Sequence, residues 1–156
     1  MKTTSPIAMV AASEAERAAL KLWVVLSRAY AAIADHAADD VKEHGISISE
    51  FGVLELLHHK GPTLLGEIQR RVLVSSGGIT FLVDRLVTRG YVERLECPTD
   101  RRARYAALTK EGTRFVTSMF PQHAQRIARA LSALTTTEQQ QLTEALKRLG
   151  KAAAGC

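Results

Sequence analysis

Residues 63–109 of the chain read TLLGEIQRRVLVSSGGITFLVDRLVTRGYVERLECPTDRRARYAALT, and this stretch decides the fold. It contains two short helical patterns, with Gly90 as the stop of the second, followed by two strand patterns separated by an arginine-bearing turn. Two helices joined by a tight turn can place the second in the major groove of DNA. A strand pair with arginines at its tip can reach the neighbouring phosphates or minor groove. This order predicts a winged helix-turn-helix.

The local signals set the expected bounds of these elements. Thr63 is expected to cap a helix over 64–72, and Ser75 or Ser76 to cap the next helix, which ends near Arg89. Strands are predicted over 91–95 and 104–108. Helical spacing predicts that the second helix buries one apolar face, consisting of Ile79, Leu82, Val83 and Leu86.

Helical patterns flank this stretch on both sides. Ser13 and Glu16 form a capping box that opens a helix to about residue 44, and Ser47 and Glu50 form another that opens a helix ending before Gly61. The first helix spans about 45 Å at 1.5 Å per residue, which is too long for a small core to cover. Part of it is therefore expected to pack on a partner chain.

A fifth helix is predicted from Lys110, and Pro121 is expected to kink or interrupt it. Thr135 and Glu138 form a capping box for a last helix. Its apolar face consists of Leu142, Leu146 and Leu149. The predicted fold class is therefore mainly α with a small β-hairpin wing, in which N- and C-terminal dimerisation helices flank the winged helix-turn-helix.

Composition narrows the function classes. The 156 residues suit one domain, with 46% apolar and 24% charged residues, and the net charge of +5 is compatible with a polyanionic partner. Two cysteines are too few for a disulfide framework, and no secretory or membrane-spanning segment is evident. We therefore expect a cytoplasmic protein with no membrane partner. The chain lacks HExxH, P-loop and GxSxG motifs, which argues against an enzyme.

The frame HGISISEFGVLELLHHKGP…LLGEI…VLVSSGGITFLVDRLVTRGYVER…CPTDRRARYAALTKEG resembles the MarR family of bacterial transcription regulators. Its most specific element is Asp100-Arg101-Arg102 followed by Leu108-Thr109 and Gly112. The resemblance implies one domain over 1–156, with dimerisation helices in 14–46 and 110–150 and the DNA-binding region in 47–109. It also implies a homodimer that binds a pseudo-palindromic double-stranded operator, usually as a repressor released by a small ligand.

Candidate DNA contacts on the recognition helix are small. Its first turn offers Ser75, Ser76, Gly77, Gly78 and Thr80 toward the groove. Bidentate readout by Arg or Gln is missing from this turn, so base reading is expected to depend on hydroxyls, close backbone approach and DNA shape. The glycine pair could instead accommodate the helix start against the preceding helix.

The family pattern implies a larger role for the wing. Arg102 would enter the minor groove, Asp100 would orient it, and Arg101 would meet phosphate. Arg85 and Arg94 are further candidate phosphate contacts. The alternative for each arginine is an ordinary solvated surface side chain.

The resemblance also places a small-molecule pocket between the first two helices and the winged region. An arginine or histidine beside aromatic surface suits a small aromatic acid, such as a hydroxybenzoate or a hydroxylated nicotinate. The aromatic members of the set could equally be core or dimer contacts, and no metal or other cofactor is expected, because His36 and His44 lack a third ligand. The candidate ligand-binding residues are Trp23, Arg28, Tyr30, His36, Ser49, Phe51 and His58.

Two alternative functions remain open from the sequence. Cys97 lies at the base of the wing, where Arg94, Arg101 and Arg102 could favour its thiolate, so a thiol-based sensor of oxidants or quinones is one alternative. An inert cysteine is the other interpretation of this residue. A winged-helix module that binds protein or RNA, without a ligand, is the second alternative function.

Overall fold

The structure is a computed structural model in which residues 13–72 and 76–155 are described. The described part is mainly helical, with a small three-stranded antiparallel sheet. In chain order the elements are α1 (Glu14–Glu43), α2 (Ile48–Lys60), β1 (Thr63–Leu64), α3 (Leu65–Val72), α4 (Ser76–Thr88), β2 (Val92–Glu96), β3 (Arg104–Leu108), α5 (Lys110–Ala130) and α6 (Thr136–Ala154).

Local sequence signals set most of the helix ends. The capping boxes opened by Ser13, Ser47 and Thr135 are all formed, so orphan N–H groups at three helix starts have side-chain acceptors. Gly45 and Gly90 adopt φ of 77° and 79°, a left-handed conformation that lets the chain leave α1 and α4 without a Cβ clash. These predicted boundaries are confirmed.

The prediction for Thr63 is wrong. Thr63 does not cap α3; it lies in β1, where it pairs with Ala106 of β3, and its hydroxyl donates to the Gly61 carbonyl. The sheet order is β1-β3-β2, with β2 and β3 in register from Val92↔Leu108 to Glu96↔Arg104. The wing hairpin is therefore anchored to the chain that precedes α3, because β3 pairs on both of its edges.

One apolar core joins the helix-turn-helix to α5 and to the end of α1. The four predicted α4 residues are all buried in it, as the helical spacing indicated. Other buried members come from six further elements and the α1–α2 loop, and they are Val41, Ile46, Phe51, Val53, Leu54, Leu57, Ile68, Val92, Ala106, Val116 and Met119. This core fixes α4 and the wing relative to each other.

A buried polar cluster fastens α1 to α5. Asp40 is fully buried, and its carboxylate lies 2.9 Å from His123 Nδ1 and 3.6 Å from Arg126 Nε. The His123 ring packs on Phe51, with 4.5 Å between ring centroids. A buried carboxylate needs such partners, since burial of an unpaired charge is strongly unfavourable.

The two terminal helices bury little in a single chain. Among the described residues only Asp40 and Val41 of α1 are buried, and α6 buries none. The large apolar side chains that they expose are Leu20, Leu22, Trp23, Val24, Val25, Tyr30, Leu142, Leu146 and Leu149. Such contiguous apolar faces mark an interaction surface.

Pro121 does not interrupt α5, because the helix is continuous from Lys110 to Ala130, so of the kink or interruption expected there the interruption does not occur. The proline removes one intrahelical hydrogen-bond donor, but the turn that precedes it is held by Val116 and Met119, which pack in the core.

Among the helices of the described residues, none has the length and apolar character that a membrane span requires.

Candidate nucleic-acid interface and effector cavity

The outer face of α4 is the candidate reading surface. It lies opposite the buried face, and Gly77, Thr80 and Phe81 on it are exposed. Among the described residues, a Cβ added to Gly77 would meet no atom of a neighbouring element within 4 Å, so packing against α3 does not require this glycine. Of the predicted contacts in this turn, Ser75 lies outside the described residues, Ser76 is the first residue of α4, and Gly78 is partly buried.

Arg85 connects α4 to the start of α2. Its Nε lies 3.1 Å from Glu50 Oε1, and Glu50 is fully buried while Arg85 is about half exposed. The second carboxylate oxygen of Glu50 accepts the Ser47 backbone N–H at 2.7 Å. Arg85 was predicted as a phosphate contact; in the structure part of its charge is already compensated, and it braces the recognition helix.

Arg94 plays the equivalent part between the wing and α4. Its Nη2 lies 2.6 Å from Asp84 Oδ1, and this ion pair joins β2 to the exposed side of the recognition helix. Because the wing and α4 are connected here as well as through the core, a movement of one must displace the other. Arg94 thus reaches phosphate only if it shares its guanidinium with Asp84.

The wing tip is a tight turn that presents two arginines. The Ala103 N–H donates to the Asp100 carbonyl at 3.1 Å, and Asp100 Oδ1 accepts the Arg102 backbone N–H at 2.9 Å. Arg101 and Arg102 are both exposed. Asp100 therefore contacts Arg102 through the backbone of the turn, which is how this carboxylate can orient the arginine.

The base of the wing is packed closely against α5. Thr109 Oγ1 donates to the Gly90 carbonyl at 2.6 Å and accepts the Gly112 N–H at 3.0 Å, so one side chain caps α5 and holds the end of α4. Tyr91 stacks on Phe115 with 4.4 Å between centroids. Gly112 lies directly against the Tyr91 carbonyl, where a side chain would not fit. The Leu-Thr and Gly positions of the family wing pattern thus have a packing reason.

Cys97 is partly buried at the end of β2, and Sγ lies 3.2 Å from Thr99 Oγ1. The hydrogen bond with the Thr99 hydroxyl, helped by the backbone N–H groups of Thr99 and Asp100, lowers the pKa of the Cys97 thiol, while the Asp100 carboxylate opposes the change. The sequence suggested that the wing arginines would lower this pKa. The structure assigns the effect to the turn that follows the cysteine.

An open cavity of about 470 Å³ lies between α1, α2 and the end of α3. We term it the effector cavity; its walls are Tyr30, Ile48, Ser49, Gly52, Glu55, Leu56, His59, Arg71 and Val72. Tyr30 and Ser49 were predicted as ligand-binding residues. The other seven were missed because the cavity is formed by residues from three helices.

The remaining predicted ligand residues do not line the effector cavity. Phe51 points into the core, where it is 3% exposed and packs on His123, so it is a packing residue. Trp23 and Arg28 lie on the exposed part of α1, and His58 is exposed on α2. His36 lies elsewhere, on a separate polar cavity lined by Arg126, Arg129 and Ala130.

Metal ligands do not converge in this part of the molecule. Over residues 13–72 and 76–155, no group of three or more His, Cys, Asp or Glu side chains is placed to hold a metal ion. The described sites offer hydrogen bonding and charge pairing at the wing and α4, and an open cavity beside the end of α3.

Comparison with known proteins agrees with this geometry. A sequence model of the MarR family matches residues 44–103. The HTH-type transcriptional regulator MhqR of Bacillus subtilis is 44% identical over 131 residues, covering 84% of this chain and 90% of MhqR. Sco3205 of Streptomyces coelicolor, a MarR family regulator solved in complex with DNA, superposes with a TM-score of 0.79 at 23% identity, covering 90% of this chain and 89% of Sco3205. BpsR of Bordetella bronchiseptica superposes with a TM-score of 0.74 at 21% identity, covering 83% of this chain and 98% of BpsR. The protein therefore belongs to the MarR family and is a DNA-binding transcription regulator.

Proposed function

We propose that the protein is a homodimeric repressor that a small aromatic acid releases from a pseudo-palindromic operator. The observation that carries this proposal is the position of the effector cavity. Arg71 and Val72 are its α3 residues, and only three residues separate Val72 from α4. A ligand that changes the distance between α1 and α3 would therefore act directly on the recognition helix.

The lining of the effector cavity suits an aromatic acid. Its volume falls within the range of about 300–1,000 Å³ that small-molecule sites occupy. Tyr30, Leu56 and Val72 offer apolar surface for a ring, while His59 and Arg71 offer donors for a carboxylate. DNA binding by BpsR is regulated by 6-hydroxynicotinic acid, a molecule of this class.

Dimerisation is supported by the apolar faces of α1 and α6. They leave large side chains such as Trp23, which is 67% exposed, in contact with water. Burial of apolar surface stabilises by about 25 cal/mol per Å², so a second copy that covers these faces is strongly favoured. Two copies related by a two-fold axis would present two α4 helices to a two-fold operator.

In this proposal the wing supplies most of the positive charge that meets DNA. Arg102 enters the minor groove and Arg101 contacts phosphate, since the turn presents both side chains to solvent. Arg85 and Arg94 contribute less affinity, because each is paired with a carboxylate. Thr80 and the first turn of α4 contact the major groove.

The effector proposal is tested by thermal-shift screening of the purified protein against hydroxybenzoates, hydroxylated nicotinates and quinones. Compounds that raise the melting temperature are then tested for release of bound promoter DNA. His59→Gln should weaken the response to an aromatic acid, while His58→Gln, next to it but outside the cavity, should leave it unchanged. Equal effects of the two variants would contradict the assignment of the cavity.

Cys97 supports a second candidate function, a thiol-based sensor. Its lowered pKa favours the reactive thiolate, and modification of Sγ would disturb the turn that presents Arg102. Cys97→Ser separates the two candidates. An aromatic-acid repressor keeps both DNA binding and inducer response in this variant, whereas a thiol sensor keeps binding and loses its response to quinones.

A further inference from the structure

Phe81 is an aromatic side chain that the structure leaves in water on the recognition helix. It is 60% exposed, although α4 buries its other large apolar residues, apart from Val87 near the helix end. Exposure of a phenyl ring on a solvated helix gains nothing for folding. On the helix that enters the groove of DNA, it is available for a contact outside the protein.

Phe81 lies at the centre of the outer face of α4. Gly77, Phe81 and Arg85 follow at intervals of four residues and share one stripe, opposite the buried Ile79 and Val83. Helical side chains lean toward the N-terminus, which brings the ring over the turn that begins at Gly77. Gly77 has no Cβ to occupy that space, and no atom that the structure describes from another element lies within 4 Å of where a Cβ would be.

The ring is also braced from within the protein. The Arg85 guanidinium carbon lies 5.6 Å from the centroid of the Phe81 ring, within the range of a cation–π contact. Arg85 is held in turn by the buried carboxylate of Glu50 at 3.1 Å. A side chain positioned in this way loses little conformational entropy when it makes a contact.

The chemistry of the groove identifies the contact. Base edges in the major groove carry hydrogen-bond donors and acceptors, and their one apolar group is the C5-methyl of thymine. We propose that Phe81 is a specificity-determining residue that packs on a thymine methyl group, in the open space beside Gly77. This goes beyond the proposed effector response, because it assigns direct base readout to a side chain with no hydrogen-bonding group.

The test uses the tightest-binding duplex that the wild-type protein selects from a randomised DNA pool. Each thymine of this duplex is replaced in turn by uracil, which removes the methyl group and keeps every hydrogen bond. Replacement of the one thymine in each half-site that Phe81 contacts should lower wild-type affinity about fourfold, which is the factor expected when one buried methyl-sized group is lost. Phe81→Ala should bind the thymine and uracil duplexes equally.

Two further variants make the result decisive. Val87→Ala removes another exposed apolar side chain from α4 and should keep the full thymine preference. Phe81→Gln, which keeps a long side chain, should lose the preference as Phe81→Ala does. The proposal is overturned if no uracil substitution weakens wild-type binding, or if the Phe81 variants discriminate thymine from uracil as the wild type does.

Discussion

Gly112 offers a sharp test of how the wing is fixed to the rest of the molecule. A Cβ placed on this residue would lie 2.8 Å from the Tyr91 carbonyl carbon, and closer still to its oxygen. Nonbonded carbon atoms are at their optimum at about 3.5–4.0 Å, so the backbone near Tyr91 or the start of α5 must move by roughly 0.7 Å or more. Side-chain rotation cannot relieve this contact, because both partners are backbone.

The expected cost follows from three contributions. Overpacking costs about 1–3 kcal/mol. Displacement of the Tyr91 carbonyl weakens its hydrogen bond from the Thr109 N–H, now 3.1 Å long, which adds about 0.5–1.5 kcal/mol. Alanine recovers up to about 1 kcal/mol of helix propensity, and less near a helix start. Gly112→Ala should therefore lower the free energy of unfolding by about 2–3 kcal/mol, which corresponds to a fall of roughly 5–10 °C in melting temperature for a chain of this size.

The assay is denaturation followed by circular dichroism, at one fixed protein concentration because dimerisation would shift the midpoint. Gly66→Ala in α3 is the matched control, since a Cβ there meets nothing within 4 Å. This variant should be unchanged or more stable by up to about 1 kcal/mol. A Gly112→Ala protein as stable as the wild type would refute the packing argument for the wing base.

Three other predictions follow from the same geometry. Arg102→Ala should weaken operator binding at least tenfold in a gel shift at physiological salt and leave helicity unchanged. Unaltered affinity would contradict the proposal that Arg102 of the wing contacts DNA. Asp40→Ala should lower the free energy of unfolding by about 3–5 kcal/mol, because it leaves His123 and Arg126 without their buried carboxylate partner. Urea denaturation measures this loss, and a change below about 1 kcal/mol would show that the cluster is not essential for stability. Thr99→Val should raise the pKa of Cys97, because the hydroxyl that lowers it is removed, so thiolate and alkylation by iodoacetamide appear at higher pH than in the wild type. Both proteins also carry Cys156→Ser, so that only Cys97 reacts. Identical pH profiles of alkylation in the two proteins would contradict the role of Thr99.

Sequence reasoning performed best where the signals are local. Capping boxes join residues three positions apart, and the apolar spacing of α4 reports its own buried face, so helix starts and that part of the core were predicted correctly. It failed at Thr63, whose capping chemistry was overruled by strand pairing with Ala106, a residue more than 40 positions away. The interruption expected at Pro121 is absent for a similar reason, since tertiary packing holds a helix that the proline alone would weaken.

The same distinction between local and long-range contacts decides which candidate sites could be predicted from the sequence. The Asp100-Arg101-Arg102 turn could be recognised from the sequence because its hydrogen bonds connect neighbouring residues. The effector cavity could not, because its walls come from three helices, and a linear pattern does not tell which faces meet. Phe81 was not named as a contact, although the helical spacing leaves it off the predicted buried face, and the structure shows its side chain to be exposed.

By itself, the sequence determined the helix-turn-helix, the wing and the family to which they belong, because short-range periodicity, caps and turns specify those elements. The tertiary structure alone decided how they are joined. It paired Glu50 with Arg85 and Asp84 with Arg94, so that two arginines predicted to contact phosphate also brace the recognition helix. Such pairs form between residues distant in sequence, and their partners are chosen by the packing of helices around the common core.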